Sequence, residues 1–97
     1  MPGLNPLVET LALGDGSERR LAALTLGRLE DARAAGPLCH ALADDDPAVR
    51  AAAMEALYRL GARALHALSR SLRTGPQRER YHTAALLGEI GGPEAAA

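Results

Sequence analysis

The feature that most constrains the fold of this sequence is an internal repeat of about 30 residues. A shift of 31 residues matches the first copy to the second at Pro6/Pro37, Leu7/Leu38, Leu11/Leu42, Asp15/Asp46, Arg19/Arg50, Leu26/Leu57, Arg28/Arg59 and Leu29/Leu60. A shift of 30 matches the second copy to a third at Leu38/Leu68, Leu42/Leu72, Arg50/Arg80, Leu57/Leu87 and Gly61/Gly91. Periods of this length are typical of stacked repeats, in which each copy buries its apolar face against its neighbours.

Each copy reads as two helices separated by a turn. The first is short and carries leucines at i and i+4, which lie on one helical face; these pairs are Leu7/Leu11, Leu38/Leu42 and Leu68/Leu72. The second is longer, and in the middle copy its apolar stripe consists of Val49, Ala53, Ala56, Leu57 and Leu60. The pattern predicts helices over residues 4–13, 17–30, 34–43, 47–60, 62–73 and 76–90, with glycine caps near Gly61 and Gly91.

The turns carry residue types that start helices. Asp46 stands directly before a proline, which predicts an N-cap carboxylate followed by proline at the first helical position. Asp15 or Ser17 is predicted to cap in the first copy, whereas Gly75 and Pro76 open the last helix without a capping side chain. Linkers this short leave no room for a second domain or a long active-site loop.

Composition limits what the chain can do. Its 97 residues permit one domain, and the single cysteine, Cys39, excludes an internal disulfide and argues against a thiolate metal site. Residues 1–48 contain four Arg and eight acids, and residues 49–97 contain seven Arg and four acids, so the halves carry −4 and +3. That basic charge is too small to predict nucleic-acid binding by itself. No apolar run approaches the ~18 residues of a membrane span. We expect a cytoplasmic protein without membrane contact, metal or cofactor.

From Leu42 to Leu65 the sequence LADDDPAVRAAAMEALYRLGARAL resembles a HEAT repeat, specifically the short HEAT-like type first associated with phycobilisome lyases. That family has a Leu-rich first helix, an Asp-x-Asp-Pro-x-Val-Arg turn and an Ala-Leu-Gly-x-Leu-Gly ending. The matching residues are Asp44, Asp46, Pro47, Val49, Arg50, Ala53, Ala56, Leu57, Leu60 and Gly61. The resemblance covers about Leu7 to Ala96 and implies an all-α, right-handed α-solenoid of about three HEAT-like helical hairpins. We expect repeats at about 4–33, 34–61 and 62–91, with 92–97 as the start of a further repeat or a disordered tail.

The three copies differ at particular positions of this pattern. In the outer copies, Leu13 and Thr74 replace Asp44, and Glu18 and Glu79 replace Val49. In the middle copy, Tyr58 occupies a position where the family usually has glycine, as the other copies do with Gly27 and Gly88.

The adjacent aspartates favour a structural interpretation over a cation site. Consecutive carboxylates cannot all converge on one ion, and no nearby loop supplies the remaining oxygen ligands. Asp46 instead caps a helix, where its charge complements the helix dipole. The resemblance implies that Asp44 reaches the following helix and pairs with Arg50. We therefore predict Asp44, Asp46 and Arg50 as a turn and brace, whereas Arg19 and Arg80 lack such a partner acid and are candidates for function.

The sequence contains no arrangement typical of catalysis. It lacks a Ser/His/Asp or Cys/His pattern, a glycine-rich phosphate loop and a His-Glu pair. We therefore expect a non-enzymatic scaffold that binds a protein partner. In the family the second helices line the concave face, and the predicted partner-binding residues there are Arg20, Leu24, Arg28, Glu55, Tyr58, Arg59, Tyr81, His82, Ala85 and Glu89.

Three alternatives remain open. One is self-association as a homodimer or end to end, because the end helices carry apolar residues. Another is an anion or nucleic-acid binding module that uses the C-terminal arginines, which are Arg63, Arg70, Arg73, Arg78 and Arg80. The last is a lyase-like activity or an accessory role in an enzyme complex, which would need a deep pocket that so short a stack has little room to build.

Overall fold

The structure, a computed structural model, describes the backbone of residues 4–96 and the side chains of residues 4–90. Within that part of the chain there are helices and no strands. The α-helices are α1 (Leu4–Leu13), α2 (Gly16–Leu29), α3 (Ala35–Ala41), α4 (Pro47–Leu60), α5 (Leu65–Thr74) and α6 (Gln77–Ala96). Short 3₁₀ turns at Ala32–Ala34 and Gly61–Ala64 lead into α3 and α5. The predicted all-α class with six helices is confirmed.

The helices pack as three consecutive hairpins placed side by side. α1 packs on α2, α3 on α4 and α5 on α6, while the first helices α1, α3 and α5 form one layer and the second helices α2, α4 and α6 form the other. The core lies between these layers, and its largest fully buried apolar members are Leu26, Leu38, Leu42, Leu57, Leu68, Leu86 and Val49. Most of these leucines belong to the matched pairs of the sequence repeat, so the repeat encodes the core.

The helix starts follow the predicted cap chemistry. Asp15, not Ser17, caps α2: its carboxylate accepts from the Glu18 N–H at 2.8 Å, while Glu18 accepts from the Asp15 N–H at the same distance. This reciprocal pair is a capping box. Asp46 caps α4 by accepting from the Ala48 N–H at 2.9 Å.

The helix ends agree less well with the prediction. Gly61 ends α4 with φ 55°, a conformation that glycine adopts without a Cβ penalty. α6 instead continues to Ala96, so the predicted end near Gly91 is wrong. Glycine permits a left-handed cap but does not impose one. The side chains of residues 91–97 lie outside the described residues, so the predicted start of a further repeat or disordered tail at 92–97 stays a prediction.

Candidate partner-binding site

The three adjacent aspartates point in three different directions. The Asp44 carboxylate accepts two hydrogen bonds from Arg19 in the first hairpin, from Nε at 2.8 Å and from Nη2 at 3.0 Å. Asp46 caps its own helix. Asp45 is fully exposed and lies 3.3 Å from Nη1 of Arg78 in the third hairpin. The turn therefore links all three hairpins and does not form a cation site.

The prediction that the Asp44 carboxylate pairs with Arg50 is wrong. Arg50 donates to the backbone carbonyls of Asp44 and Asp45, at 2.7 and 3.2 Å, while the carboxylate of Asp44 binds Arg19. Arg19 therefore has an acid partner, which lies in the following hairpin and not in its own copy. Each repeated arginine also donates to a turn carbonyl, since Arg19 bonds Gly14 at 2.8 Å and Arg80 bonds Gly75 at 3.4 Å.

Opposing effects act on the pKa of Asp44. Burial raises it, but hydrogen bonds from Arg19 and from the Asp46 N–H, together with the positive charges of Arg19 and Arg50, outweigh burial, so the pKa lies below its ordinary value. The hydrogen bond to Asp44 in turn raises the pKa of Arg19. The brace between the first two hairpins is thus a fully ionised pair at neutral pH.

The second-helix layer carries two open grooves that contain half of the predicted partner-binding residues. The α2–α4 groove, of about 420 Å³, is lined by Arg20, Leu24, Ala48, Ala51, Ala52 and Glu55. The Tyr58 groove, of about 480 Å³ between α4 and α6, is lined by Met54, Glu55, Tyr58, Leu86 and Glu89. Because Glu55 lines both, the two grooves adjoin, and they bring Arg20, Leu24, Glu55, Tyr58 and Glu89 together.

The other predicted partner-binding residues line neither groove. Arg28, Arg59, Tyr81 and Ala85 are exposed on the second helices, and His82 is partly buried. The rings of Tyr81 and His82 meet edge to face, with centroids 5.1 Å apart. These residues extend the same helical layer beyond the grooves.

The Tyr58 groove lies at the second junction between hairpins, where α4 and α6 pack less closely than α2 and α4 do at the first. At the first junction a Cβ built on Gly27 would lie 2.8 Å from both Cα and Cβ of Ala56, so α2 and α4 approach too closely for even a methyl group. Tyr58 holds the position of Gly27 in the second hairpin, and its side chain is 56% exposed. α2 packs on α4 along much of its length, whereas α4 and α6 touch over a short stretch.

A second replacement loosens the same junction. Asp44, which receives Arg19 at the first junction, is replaced by Thr74 in the third copy. The Thr74 hydroxyl bonds within its own helix, to the carbonyl of Arg70 at 2.8 Å. Thr74 therefore offers Arg50 no carboxylate at this position of the following hairpin. Both the close-packing glycine and the ionic brace of the first junction are thus missing from the second.

Below the Tyr58 groove lies a smaller apolar hollow, here called the Leu65 pocket. It is lined by Tyr58, Gly61, Ala62, Leu65 and Ile90 and has a volume of about 370 Å³. Tyr58 is shared by the groove and the pocket, so the two form adjoining parts of one surface with an acidic end and an apolar end.

The alternative anion-binding arginines are not gathered at one place. Arg63 binds the carboxylate and the carbonyl of Glu30 at 3.1 and 3.2 Å, and Arg78 binds Asp45. Arg63 lies in the 3₁₀ turn that precedes α5, whereas Arg73 lies in the last turn of α5. The structure therefore offers less support for a single anion site than for the grooves.

A buried polar network in the third hairpin was not predicted. Glu79 is almost fully buried and its carboxylate accepts from the Ser71 hydroxyl, which lies 3.1 Å from that of Thr83. The same carboxylate lies 3.2 Å from Nδ1 of His40, whose side chain is 80% exposed. The middle copy has the apolar residues Ala41, Val49 and Ala53 at the positions of Ser71, Glu79 and Thr83.

The sequence contained the signal for this network. Glu18, at the position of Glu79 in the first copy, completes the capping box by accepting from the backbone N–H of Asp15. In the third copy the position of Asp15 is occupied by Pro76, which has no N–H. Glu79 therefore has no cap to complete, and its side chain turns inward to the Ser71 hydroxyl.

Cys39 borders a cavity of about 180 Å³ beside this network, with His40, Arg70, Ser71 and Glu79 among the other lining residues. Burial raises the pKa of Cys39 to about 12, and the nearby charge of Glu79 acts in the same direction. Only the thiolate is a strong nucleophile, so the thiol is unreactive at neutral pH. Cys39 is a free cysteine buried in the core.

The described residues provide neither a cluster of metal-binding side chains nor a membrane-spanning helix. No group of three or more His, Cys, Asp or Glu side chains is placed to hold a metal ion. No helix in this part of the chain is long and apolar enough to cross a membrane.

Stacked helical hairpins in two layers, braced from turn to turn, define a helical-repeat protein of the α-solenoid class. A family model described as HEAT repeats matches residues 4–88, and the chain belongs to the HEAT repeat family. Members of this family generally mediate protein–protein interactions and are typically non-catalytic. No curated protein matches the chain.

Proposed function

We propose that this protein is a non-enzymatic scaffold that binds a protein partner on the layer formed by α2, α4 and α6. The observation that carries the proposal is the Tyr58 groove. A large, half-exposed aromatic residue stands where the other two copies have glycine, and it opens a surface beside Glu55 and Glu89. Exposed aromatic side chains are enriched among the residues that dominate protein interfaces.

The shape of this surface supports binding of a polypeptide more than catalysis on a small molecule. The α2–α4 groove and the Tyr58 groove adjoin through Glu55 and are both open along the helices. Small-molecule sites usually enclose most of their ligand. A helix or extended segment can instead lie across successive grooves and place side chains in each of them.

A pull-down from the source cell tests the proposal with matched substitutions. We expect Tyr58→Ala and Leu24→Asp each to reduce the recovered partner by about tenfold, the effect of losing one strong interface contact. Leu13→Asp is the control, because Leu13 is an exposed leucine at the end of α1, in the other layer. Circular dichroism establishes that each variant is folded. The proposal is contradicted if Leu13→Asp reduces the recovered partner as much as the other substitutions do. It is also contradicted if Tyr58→Ala and Leu24→Asp leave the recovered partner unchanged.

End-to-end self-association is a second candidate, supported by the exposed ends of the stack. Leu21 and Leu29 are more than half exposed on α2, whereas Ala52 and Leu60 at the equivalent positions of α4 are buried. A Cβ on Gly88 would meet open space, in contrast to Gly27. Sedimentation at increasing protein concentration tests end-to-end self-association. If the ends of two stacks pack together, Leu21→Asp should abolish the association.

A further inference from the structure

We propose that the Tyr58 groove receives a basic side chain of the partner, an arginine or a lysine, next to an apolar side chain that enters the Leu65 pocket. This inference rests on the proposed function and specifies the chemistry of the partner. The charge, the apolar surface and the shape of this groove all favour a basic side chain.

Most acidic side chains of the protein already bind another group. Among those the structure describes, only Glu9, Glu55 and Glu89 have no hydrogen-bond partner within the described residues. The others bind arginine or histidine or cap a helix; these are Asp15, Glu18, Glu30, Asp31, Asp44, Asp45, Asp46 and Glu79. Two of the three uncommitted carboxylates therefore line one groove.

Among the residues that the structure describes, no basic side chain lines the Tyr58 groove. Its remaining walls are Met54, Tyr58 and Leu86, of which Leu86 is almost fully buried and forms the floor. The adjoining α2–α4 groove differs, because Arg20 accompanies Glu55 there. The Tyr58 groove thus presents two negative charges above an apolar floor.

A long basic side chain matches the shape of the Tyr58 groove. Arginine and lysine lay their methylene stems on apolar surface while their charged ends remain with polar groups. Here the stem would lie on Met54 and Leu86, and the cation would lie between Glu55 and Glu89. The exposed ring of Tyr58 adds a face to which a guanidinium or ammonium group is attracted.

The Leu65 pocket supplies the neighbouring contact. Gly61, Ala62, Leu65 and Ile90 contribute no charged group to its lining, and Tyr58 separates it from the acidic end. A segment that crosses Tyr58 therefore meets two carboxylates on one side and an apolar hollow on the other. An apolar residue beside a basic residue complements this order.

The test is a selection of peptides displayed as a library of helical 16-residue sequences that samples lysine, arginine, glutamate and leucine at every position. Binders selected on the immobilised full-length chain are expected to share a basic residue beside an apolar one. We expect the combined Glu55→Gln and Glu89→Gln substitutions to weaken the selected peptides by about tenfold or more, as for close charge pairs at interfaces. Replacing the peptide's arginine by citrulline should have a similar effect. Glu9→Gln, the remaining uncommitted carboxylate, is the matched control and should leave affinity unchanged.

The alternative outcomes separate this inference from the proposed function. Peptides that lose binding with Tyr58→Ala but show no basic residue, and that tolerate Glu55→Gln with Glu89→Gln, overturn the inference and leave the proposed function standing. Peptides indifferent to Tyr58→Ala and to Leu24→Asp contradict both. Recovery of no binder from a library that contains the basic and apolar pair in every register also contradicts the inference.

Discussion

Arg19 of the first hairpin holds the carboxylate of Asp44 in the second with two hydrogen bonds, at 2.8 and 3.0 Å. The pair connects two turns that lie 25 residues apart in the sequence. It is partly buried and bidentate, the geometry in which ion pairs contribute most to stability. The same arginine also holds the Gly14 carbonyl, so one side chain ties the turn of its own copy to the turn of the next.

Asp44→Asn is expected to lower the free energy of unfolding by about 1 kcal/mol at pH 7, because it removes a charge-assisted, partly exposed pair. Urea unfolding measures the difference. Asp45→Asn is the control, since its fully exposed carboxylate makes only a 3.3 Å contact with Arg78 and should matter little.

The contribution of Asp44 should also depend on pH. Its pKa is lower in the folded chain than in the unfolded chain, so its stabilising effect is complete above the unfolded value of about 3.9 and is lost as the pH falls through the folded value. The stability difference between wild type and Asp44→Asn should therefore shrink at acid pH. A difference that stays constant from pH 7 to the acid range would show that the carboxylate is not held as described.

Gly27→Ala and Gly88→Ala are expected to have opposite effects. A Cβ at Gly27 would lie 2.8 Å from Ala56. The substitution should therefore lower the free energy of unfolding by about 1–3 kcal/mol through overpacking. At Gly88 the space is open, and alanine should stabilise α6 by about 0.5–1 kcal/mol. Thermal and urea unfolding of the two variants measure the signs, and effects of the same sign would contradict the difference between the two junctions.

The polar network of the third hairpin should respond to substitution as a unit. Glu79→Val alone places the valine of the middle copy beside the buried hydroxyls of Ser71 and Thr83. This substitution should lower the free energy of unfolding by about 1–3 kcal/mol. Adding Ser71→Ala and Thr83→Ala completes the apolar set of the middle copy and should recover most of that loss, as apolar replacements of buried polar groups often do. A triple variant less stable than Glu79→Val would contradict this expectation.

The Cys39 thiol should resist alkylation in the folded protein. Its pKa is raised to about 12, mainly by burial, so almost no thiolate exists at pH 7.5. Iodoacetamide labelling followed by mass spectrometry should be slow without urea and fast in urea, where the ordinary pKa of about 8.5 returns. Labelling should remain slow with Glu79→Gln, because burial has the larger effect. Equal rates in the folded and unfolded chain would show that Cys39 is accessible.

The sequence predicted the fold well because the information for it is periodic. Leucines such as Leu38 and Leu42 recur at one helical turn, and Asp46 marks a helix start by local chemistry alone. The helix end at Gly91 was predicted wrongly, since a glycine near a helix terminus is permissive and the rest of the chain decides its conformation.

The candidate site was only partly predictable. Glu55, Tyr58 and Glu89 were expected on the face lined by the second helices, but the groove that joins them depends on how far α6 stands from α4, which no single copy encodes. The partner of Asp44 was misassigned because the resemblance describes pairing within one repeat, whereas Arg19 reaches across to the next.

The loose second junction has a consequence for cooperativity. In a linear repeat array, stability is the sum of the intrinsic stability of each unit and of its coupling to its neighbours. Gly27 and Asp44 couple the second helices of the first two hairpins closely, while Tyr58 and Thr74 at the same positions leave α6 less closely coupled to α4. The α5–α6 hairpin should therefore exchange its amide hydrogens as a separate, less protected unit. A partner seated on both α4 and α6 would supply the missing coupling and make the whole chain unfold as one.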